Sequence, residues 1–274
     1  MAANPVEDHY TSEDLGAAIL EALRAAGKDL DHLTPDELAP VDEFHGGQRQ
    51  ATVRLASLLG LTGKERVLDV GSGLGGPSRY LAAHYGCRVS GVDLTAEFCR
   101  VAQLLTRRLR LEGLADYRQG DALALPFADL SFDIVWSQNA AMNIRERDRL
   151  YREMRRVLKP GGRLGLQEVA QGPGGAPYYP VPWAKEPSIS FLFTPEETRA
   201  SLEAAGLRVL AWQDTTEASL AAAQARSRSA EEGRPPPLGT HLILGAHWQA
   251  MAKNSTRNLE ERRVALFNAV LERV

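Results

Sequence analysis

Gly71, Gly73 and Gly76 follow the apolar run Val67-Leu68-Asp69-Val70 in the spacing G-x-G-x-x-G, with Ser72 inside the turn. A strand that runs into such a turn and then into a helix presents backbone to a ligand with no side chains in the way. Asp69 stands two positions before the first glycine. Asp93, with Leu94 beside it, closes a second apolar run 22 residues after Gly71, where an acid can hold a ribose diol. Asp121 and Ala122 follow Gly120 after a third, weaker run. The glycines alone fit either a dinucleotide or S-adenosylmethionine. The three carboxylates edging one cleft favour the second, since each approach of a pyrophosphate charge to about 4 Å costs roughly 4 kcal/mol at an effective dielectric near 20. A ligand carrying an ammonium, a sulfonium and a neutral adenosine gains there. In this reading Asp69 orients the ammonium, Asp93 accepts the ribose hydroxyls, and Asp121 accepts the adenine amino hydrogens beside the Ala122 amide.

Methyl transfer from a sulfonium is an in-line displacement, so positioning and desolvation supply most of the catalysis. An unprotonated amine needs little more, whereas a hydroxyl needs a base or a metal. Candidate acceptor contacts cluster in Ser137-Gln138-Asn139-Ala140-Ala141-Met142-Asn143, at the carboxyl end of a strand, where open α/β sheets bind ligands. Asn139, Met142 and Asn143 are the side chains to watch, with capping of the next helix as the alternative for the asparagines. A second stretch, Gly172 to Ala184, carries Tyr178, Tyr179 and Trp183 among glycines and prolines. Its aromatic faces suit an amine becoming a methylammonium, an attraction of about 0.5–2 kcal/mol. Glu168 ends a strand and reads equally as a substrate-facing acid or a salt-bridge partner. Tyr10 lies where an N-terminal lid can close over substrate. His45, with Asp42 and Glu43 beside it, is the histidine placed to matter. As a general base it favours O-methylation. The other five histidines have no ligand-like spacing, and no metal site is visible.

The elements that must position these residues begin with helices over 1–60. Thr11 or Ser12 caps a helix through Ile19, Leu20, Leu23 and Ala26 to Gly27. Thr34-Pro35-Asp36-Glu37 opens a second helix that Pro40 ends, and a third runs from Gln48 to Leu59 and stops at Gly60. From Arg66 short apolar runs alternate with helical patterns. Strands are expected at Val67–Val70, Val89–Asp93, Asp116–Gln119, Phe132–Trp136, Arg163–Glu168 and Leu207–Trp212, forming a parallel sheet covered on both faces. Thr95 caps a helix ending at Gly113, Lys159-Pro160-Gly161-Gly162 makes a stop before strand five, and Thr194-Pro195-Glu196-Glu197 is a capping box for a helix ending at Gly206. Leu220 to Gly233 reads as a helix or a mobile loop, Gly233–Gly239 as a break, and His241 to Lys253 as helical. Val264–Leu271 is apolar on both alternating faces, and a buried strand is favoured over a helix. The chain divides into a helical cap, 1–60, and a larger unit, 61–274, with a helical insertion at about 214–262.

With 274 residues, 44% hydrophobic and 24% charged, the chain fits one large α/β domain plus a cap. No apolar run approaches the roughly 18 residues that span a membrane, and the acidic N-terminus lacks an export pattern. A net charge of −3 disfavours nucleic acid as the partner. Cys87 and Cys99 have neither metal nor redox spacing. These features point to a cytoplasmic protein acting on a small molecule, and leave the oligomeric state, a homodimer included, open.

Strand one with Asp-x-Gly-x-Gly-x-Gly, Asp93, Gly120-Asp121-Ala122-x-x-x-Pro126-Phe127, Ser131-Phe132-Asp133 and Arg156-Val157-Leu158-Lys159-Pro160-Gly161-Gly162 together resemble the class I S-adenosylmethionine-dependent methyltransferases. The resemblance covers roughly 40–212. It implies a Rossmann-like sheet of seven strands, order 3-2-1-4-5-7-6, with the seventh antiparallel, which places Val264–Leu271 between strands five and six. The chain is similar to the branch with the sarcosine/dimethylglycine and phosphoethanolamine N-methyltransferases. That implies S-adenosylmethionine as cofactor and a small-molecule acceptor, first an amine of the sarcosine or dimethylglycine kind. The alternative is a phenol, quinone or other secondary metabolite methylated at oxygen or carbon. His45-Gly46-Gly47-x-x-x-x-Thr52 is similar to a lead-in that touches the cofactor's carboxylate end, so His45 and Gly47 join the cofactor set. Gln138 is implied to face the methionine moiety or the acceptor. A dinucleotide-dependent oxidoreductase survives only through the glycine spacing.

Overall fold

The computed structural model describes residues 5–10, 14–231 and 237–274, apart from the side chains of Asp8, Tyr10 and 226–231. Helices α1 (Pro5–Tyr10), α2 (Leu15–Ala25), α3 (Pro35–Asp42) and α4 (Gln48–Leu59) precede β1 (Arg66–Val70). Thr11 and Ser12 lie outside the described residues, and the residue at the α2 N-cap is Asp14, left-handed at φ 61°. In α3 the Thr34 and Glu37 side chains form the full capping box, but Pro40 does not end the helix. Its ring forfeits one backbone bond. The last turn is held instead by burial of Leu38 and Val41 and by the buried Asp42–Arg79 ion pair at 2.7 Å.

After β1 come α5 (Gly76–Tyr80), one π-helical turn, β2 (Arg88–Asp93), α6 (Ala96–Arg108), β3 (Ala115–Gln119), β4 (Phe132–Gln138) and α7 (Arg147–Val157). Helix α6 stops five residues short of Gly113. Arg110 adopts φ 56°, and its N–H and that of Leu111 reach back to Arg107 (3.0 Å) and Thr106 (3.1 Å), a Schellman closure built without glycine. The Thr95 side chain makes no cap bond. Lys159-Pro160-Gly161-Gly162 does end α7, yet it lies inside β5 (Leu158–Gln171) as a bulge. Leu158 pairs with Phe132, and pairing resumes only at Arg163 opposite Ile134.

Then follow α8 (Pro195–Ala204), β6 (Leu207–Asp214), α9 (Thr216–Glu231), α10 (His241–Leu244), α11 (Trp248–Glu260) and β7 (Val264–Arg273). The sheet order is β3-β2-β1-β4-β5-β7-β6, with β7 antiparallel to both neighbours, as the resemblance implied. Strand β7 is apolar on both faces because both are covered. Phe267 stacks on Trp212 on one side, while Leu266 and Val270 pack on the other. Much of the Gly233–Gly239 break lies outside the described residues. Among the described residues no helix is long and apolar enough to cross a membrane.

Candidate functional site

Strands β1, β2 and β4 deliver their carboxyl ends to one edge of the sheet, so Gly71, Asp93 and Gln138 border a common cleft. Gly71 takes φ 76°, and a Cβ there would lie 2.4 Å from that of Ala140, so the turn closes only on glycine. The turn's amides are largely engaged within the protein. Those of Gly71 and Ser72 donate to the Val92 carbonyl at 2.8 and 3.1 Å, that of Gly73 to Asp93 Oδ2 at 2.8 Å, and that of Gly75 to the Ser72 carbonyl at 2.8 Å. What the turn offers a ligand is room and negative charge rather than a cradle of free N–H groups.

Asp69 is 2% exposed and accepts a 2.6 Å bond from Ser78 Oγ. Burial, helped by nearby Asp93, pushes its carboxyl up to about 7. Asp93 is partly buried, and desolvation raises it too, although the Gly73 amide and the Thr95 amide (2.9 Å) both donate to it. Among the described residues neither carboxylate has a lysine, arginine or histidine partner at ion-pair distance. Asp121 stands exposed at the rim, accepting from the Leu123 amide at 2.8 Å, and Leu94 and Ala122 line the same end.

A second group comes from the start of α4, where Gly47 at φ 82° turns the chain into the helix. His45 Nε2 lies 2.9 Å from Glu43 Oε2, which also accepts a 2.5 Å bond from Thr52 Oγ1. Arg49 pairs with the other Glu43 oxygen at 2.7 Å. Burial pushes the Glu43 carboxyl up, but His45, Arg49 and Thr52 outweigh it and hold it below its usual range. Beneath this group runs a row of amides. Gln138 Oε1 accepts from Trp136 Nε1 at 3.0 Å and lies 3.1 Å from Thr52 Oγ1. Gln138 Nε2 donates to Gln167 Oε1 at 2.6 Å, and Gln167 Nε2 donates to the Gly46 carbonyl at 2.5 Å. At Gly46 a Cβ would meet the tip of the Leu266 side chain at 2.6 Å, so a larger residue there would have to displace it.

The cleft and its continuation past β4 form one cavity of ≈ 1990 Å³ reaching α9 and α11. Asn139, at φ 50°, lines it, while its Oδ1 is covered by protein and has no hydrogen-bond partner among the described residues. Asn143 lines it too, but Nδ2 donates to the Trp183 and Ile189 carbonyls at 2.8 Å each, stitching two loops together. Met142 and Trp183 form part of the wall, and Trp183 Nε1 donates to Ser190 Oγ at 2.9 Å.

A family model described as a methyltransferase domain matches residues 68–166, the span holding the glycine turn, Asp93 and Gln138. The fold of the whole chain is the class I methyltransferase fold. It is 37% identical over 156 residues to methyltransferase GfsG of Streptomyces halstedii, covering 54% of each chain. It is 28% identical over 257 residues to a glycine/sarcosine/dimethylglycine N-methyltransferase of Actinopolyspora halophila, covering 94% of this chain and 44% of that protein. The chain thus spans about half the length of these curated relatives. The solved [4+2]-cyclase SpnF superposes with a TM-score of 0.72 at 24% identity, over 99% of this chain and 97% of its own. A cyclase on this framework means that the fold of the methyltransferase domain does not by itself name the reaction.

Two residues expected to meet substrate, Glu168 and Tyr178, stand elsewhere. Glu168 is buried on the other face of the sheet, 3.9 Å from Arg147, because successive residues of β5 alternate and Gln167 takes the cleft side. Tyr178 lies outside the cavity of the methyltransferase domain. Arg257 and Arg263 stack on its ring at 3.7 and 4.0 Å and donate to its hydroxyl at 3.0 and 2.7 Å, so its aromatic face already serves the protein's own cations. Tyr10 ends α1, and its side chain lies outside the described residues; Val6 of the same helix lines the cavity. Sequence reasoning missed Glu43, Thr52 and Gln167 as working parts. Glu43 and Thr52 flank His45 closely enough to be found, whereas strand pairing alone brings Gln167 beside Gln138.

Proposed function

We propose that this chain is an S-adenosylmethionine-dependent methyltransferase acting on a small-molecule acceptor. The observation that carries the reading is a pair of carboxylates, Asp69 and Asp93, without a cation partner at ion-pair distance among the described residues, beside a glycine turn whose amides are largely bonded. A diphosphate needs several free N–H groups, of which this turn keeps few, and a cation needs the charge it has. S-adenosylmethionine, when bound, supplies a methyl group on a positively charged sulfur. Asp69 would hold the ammonium end, with the Ser78 hydroxyl fixing its orientation, and Asp93 would accept the ribose hydroxyls through the lone pairs its two amide donors leave. Asp121 and Ala122 would meet the adenine. His45, Gly47 and Gln138 would stand at the opposite end, by the methionine chain. The amide row through Gln167 keeps Gly46 and Gln138 in one geometry, which is what an in-line displacement demands. We read residues 1–60 and the helices of 214–262 as covers that exclude water from the cleft.

Nitrogen is the acceptor atom supported first, because an amine needs only desolvation and alignment, and Trp183 remains to favour a developing cation. One observation favours a hydroxyl instead: the Glu43–His45 pair is the arrangement that orients a histidine as a base. A transfer rate rising with the titration of one histidine, and lost in His45→Ala, would select the hydroxyl. Isothermal titration tests the cofactor. S-adenosylmethionine should bind where NAD does not, and Asp93→Ala should weaken binding by about 1–3 kcal/mol. Tight NAD binding with no response to S-adenosylmethionine would make the chain an oxidoreductase.

A further inference from the structure

We infer that the chamber beneath α9 and α11 receives a bulky, predominantly apolar acceptor. The inference rests on the methyl-transfer reading and adds size and polarity to it. Sites that enclose one drug-sized ligand measure about 300–1,000 Å³, and this cavity, at ≈ 1990 Å³, has space for a nucleoside donor and a second molecule of comparable size. An acceptor as small as dimethylglycine would leave most of it to water against apolar walls.

The walls are built for apolar contact. On α11, Trp248, Ala252, Ser255 and Leu259 recur at spacings of four, three and four, one face of a helix, and all four line the cavity. Ser255 turns its hydroxyl back to the Met251 carbonyl at 2.8 Å, so the stripe offers little hydrogen bonding. Ala223 of α9 and Met142 lie in the same apolar cluster as Leu259. The cations around the chamber are mostly engaged: Arg49 with Glu43, Arg145 over the Phe191 ring, and Arg257 with Glu261 and Tyr178. Only Lys253, exposed on α11, stands apart from such a pair among the chamber's described lysines and arginines.

Asn139 marks the boundary between donor and chamber. It precedes Ala140, which packs against Gly71, and its Nδ2 lies 3.6 Å from where a Gly46 Cβ would be.

The test uses protein loaded with S-adenosylhomocysteine and the neutral apolar dye Nile red. Saturable one-to-one binding with a blue-shifted emission is expected. Ala252→Trp and Ala223→Trp, which fill the chamber, should each weaken the dye by about tenfold or more while S-adenosylhomocysteine affinity, the control for folding, stays within about twofold. Excess dimethylglycine should not displace the dye. Unsaturable binding, indifference to both filled variants, or displacement by dimethylglycine would overturn the inference while leaving the methyl-transfer reading intact. Failure of S-adenosylhomocysteine itself to bind would withdraw both.

Discussion

Asp69 and Glu168 are the two acids that burial lifts to about 7, and they sit on opposite faces of the sheet with opposite consequences. In each case the unfolded chain releases its proton near pH 4 while the fold keeps it until about 7, so stability falls as pH rises through that window. A cation placed against Asp69 favours its ionised form. Donor binding near pH 6 should therefore expel a proton, and affinity should climb toward pH 7 and level off above it. Titrations in buffers of different ionisation enthalpy read this directly, and a binding enthalpy independent of buffer would remove Asp69 from the ammonium site. Glu168 has no such ligand to relieve it. Relative to the parent, Glu168→Gln should gain about 2–3 kcal/mol of stability between about pH 5 and pH 8 by denaturant unfolding, without altered donor affinity. Residue identities made the first acid legible, because Asp69 stands in a patterned turn. Glu168 was not legible: nothing in its neighbours says which way a strand buried on both faces will turn a given side chain.

The glycine turn is the element that spacing described best, and the structure explains why. Gly71 carries both a left-handed backbone and a contact no Cβ could survive, whereas Gly73, at φ 52°, would bring a Cβ only to 3.2 Å from Phe44. Gly71→Ala should therefore cost more than Gly73→Ala, about 2–4 kcal/mol against about 1–2 kcal/mol in thermal unfolding, with donor affinity falling in the same order. Equal losses would mean the turn can shift as a body. Element ends chosen by tertiary contacts were harder to see. Pro40 reads as a stop, but the buried Asp42–Arg79 pair lies two residues beyond it. Gly113 reads as the end of α6, but Arg110 closes the helix first. The loop after β5 reads as an aromatic mouth, and Tyr178 instead rivets it to α11 and to Arg263 just before β7. Tyr178→Ala should lower stability by about 1–2 kcal/mol through two lost cation–π contacts and leave kcat/KM within about twofold.

At the scale of the molecule, a donor bound at one hundred times its Kd adds about 2.7 kcal/mol to the folded state. For a chain of this size that should raise Tm by roughly 5–10 °C, while NAD leaves it unmoved. Fold class and strand count were readable because periodicity, turn chemistry and composition agree over 66–212. The cavity was not, since its walls come from α1, α9 and α11 and from strand ends far apart in sequence. Strand β7 joins these scales. It is the last strand in the chain, yet it is wedged between β5 and β6 along nine paired residues of β5 and supplies Leu266 to the chamber. While the polypeptide is still emerging from the ribosome, β5 and β6 present open edges that only this segment can seal. The glycine turn and its acids are carried by strands made earlier, whereas the cavity wall is complete only once β7 brings Leu266 into place.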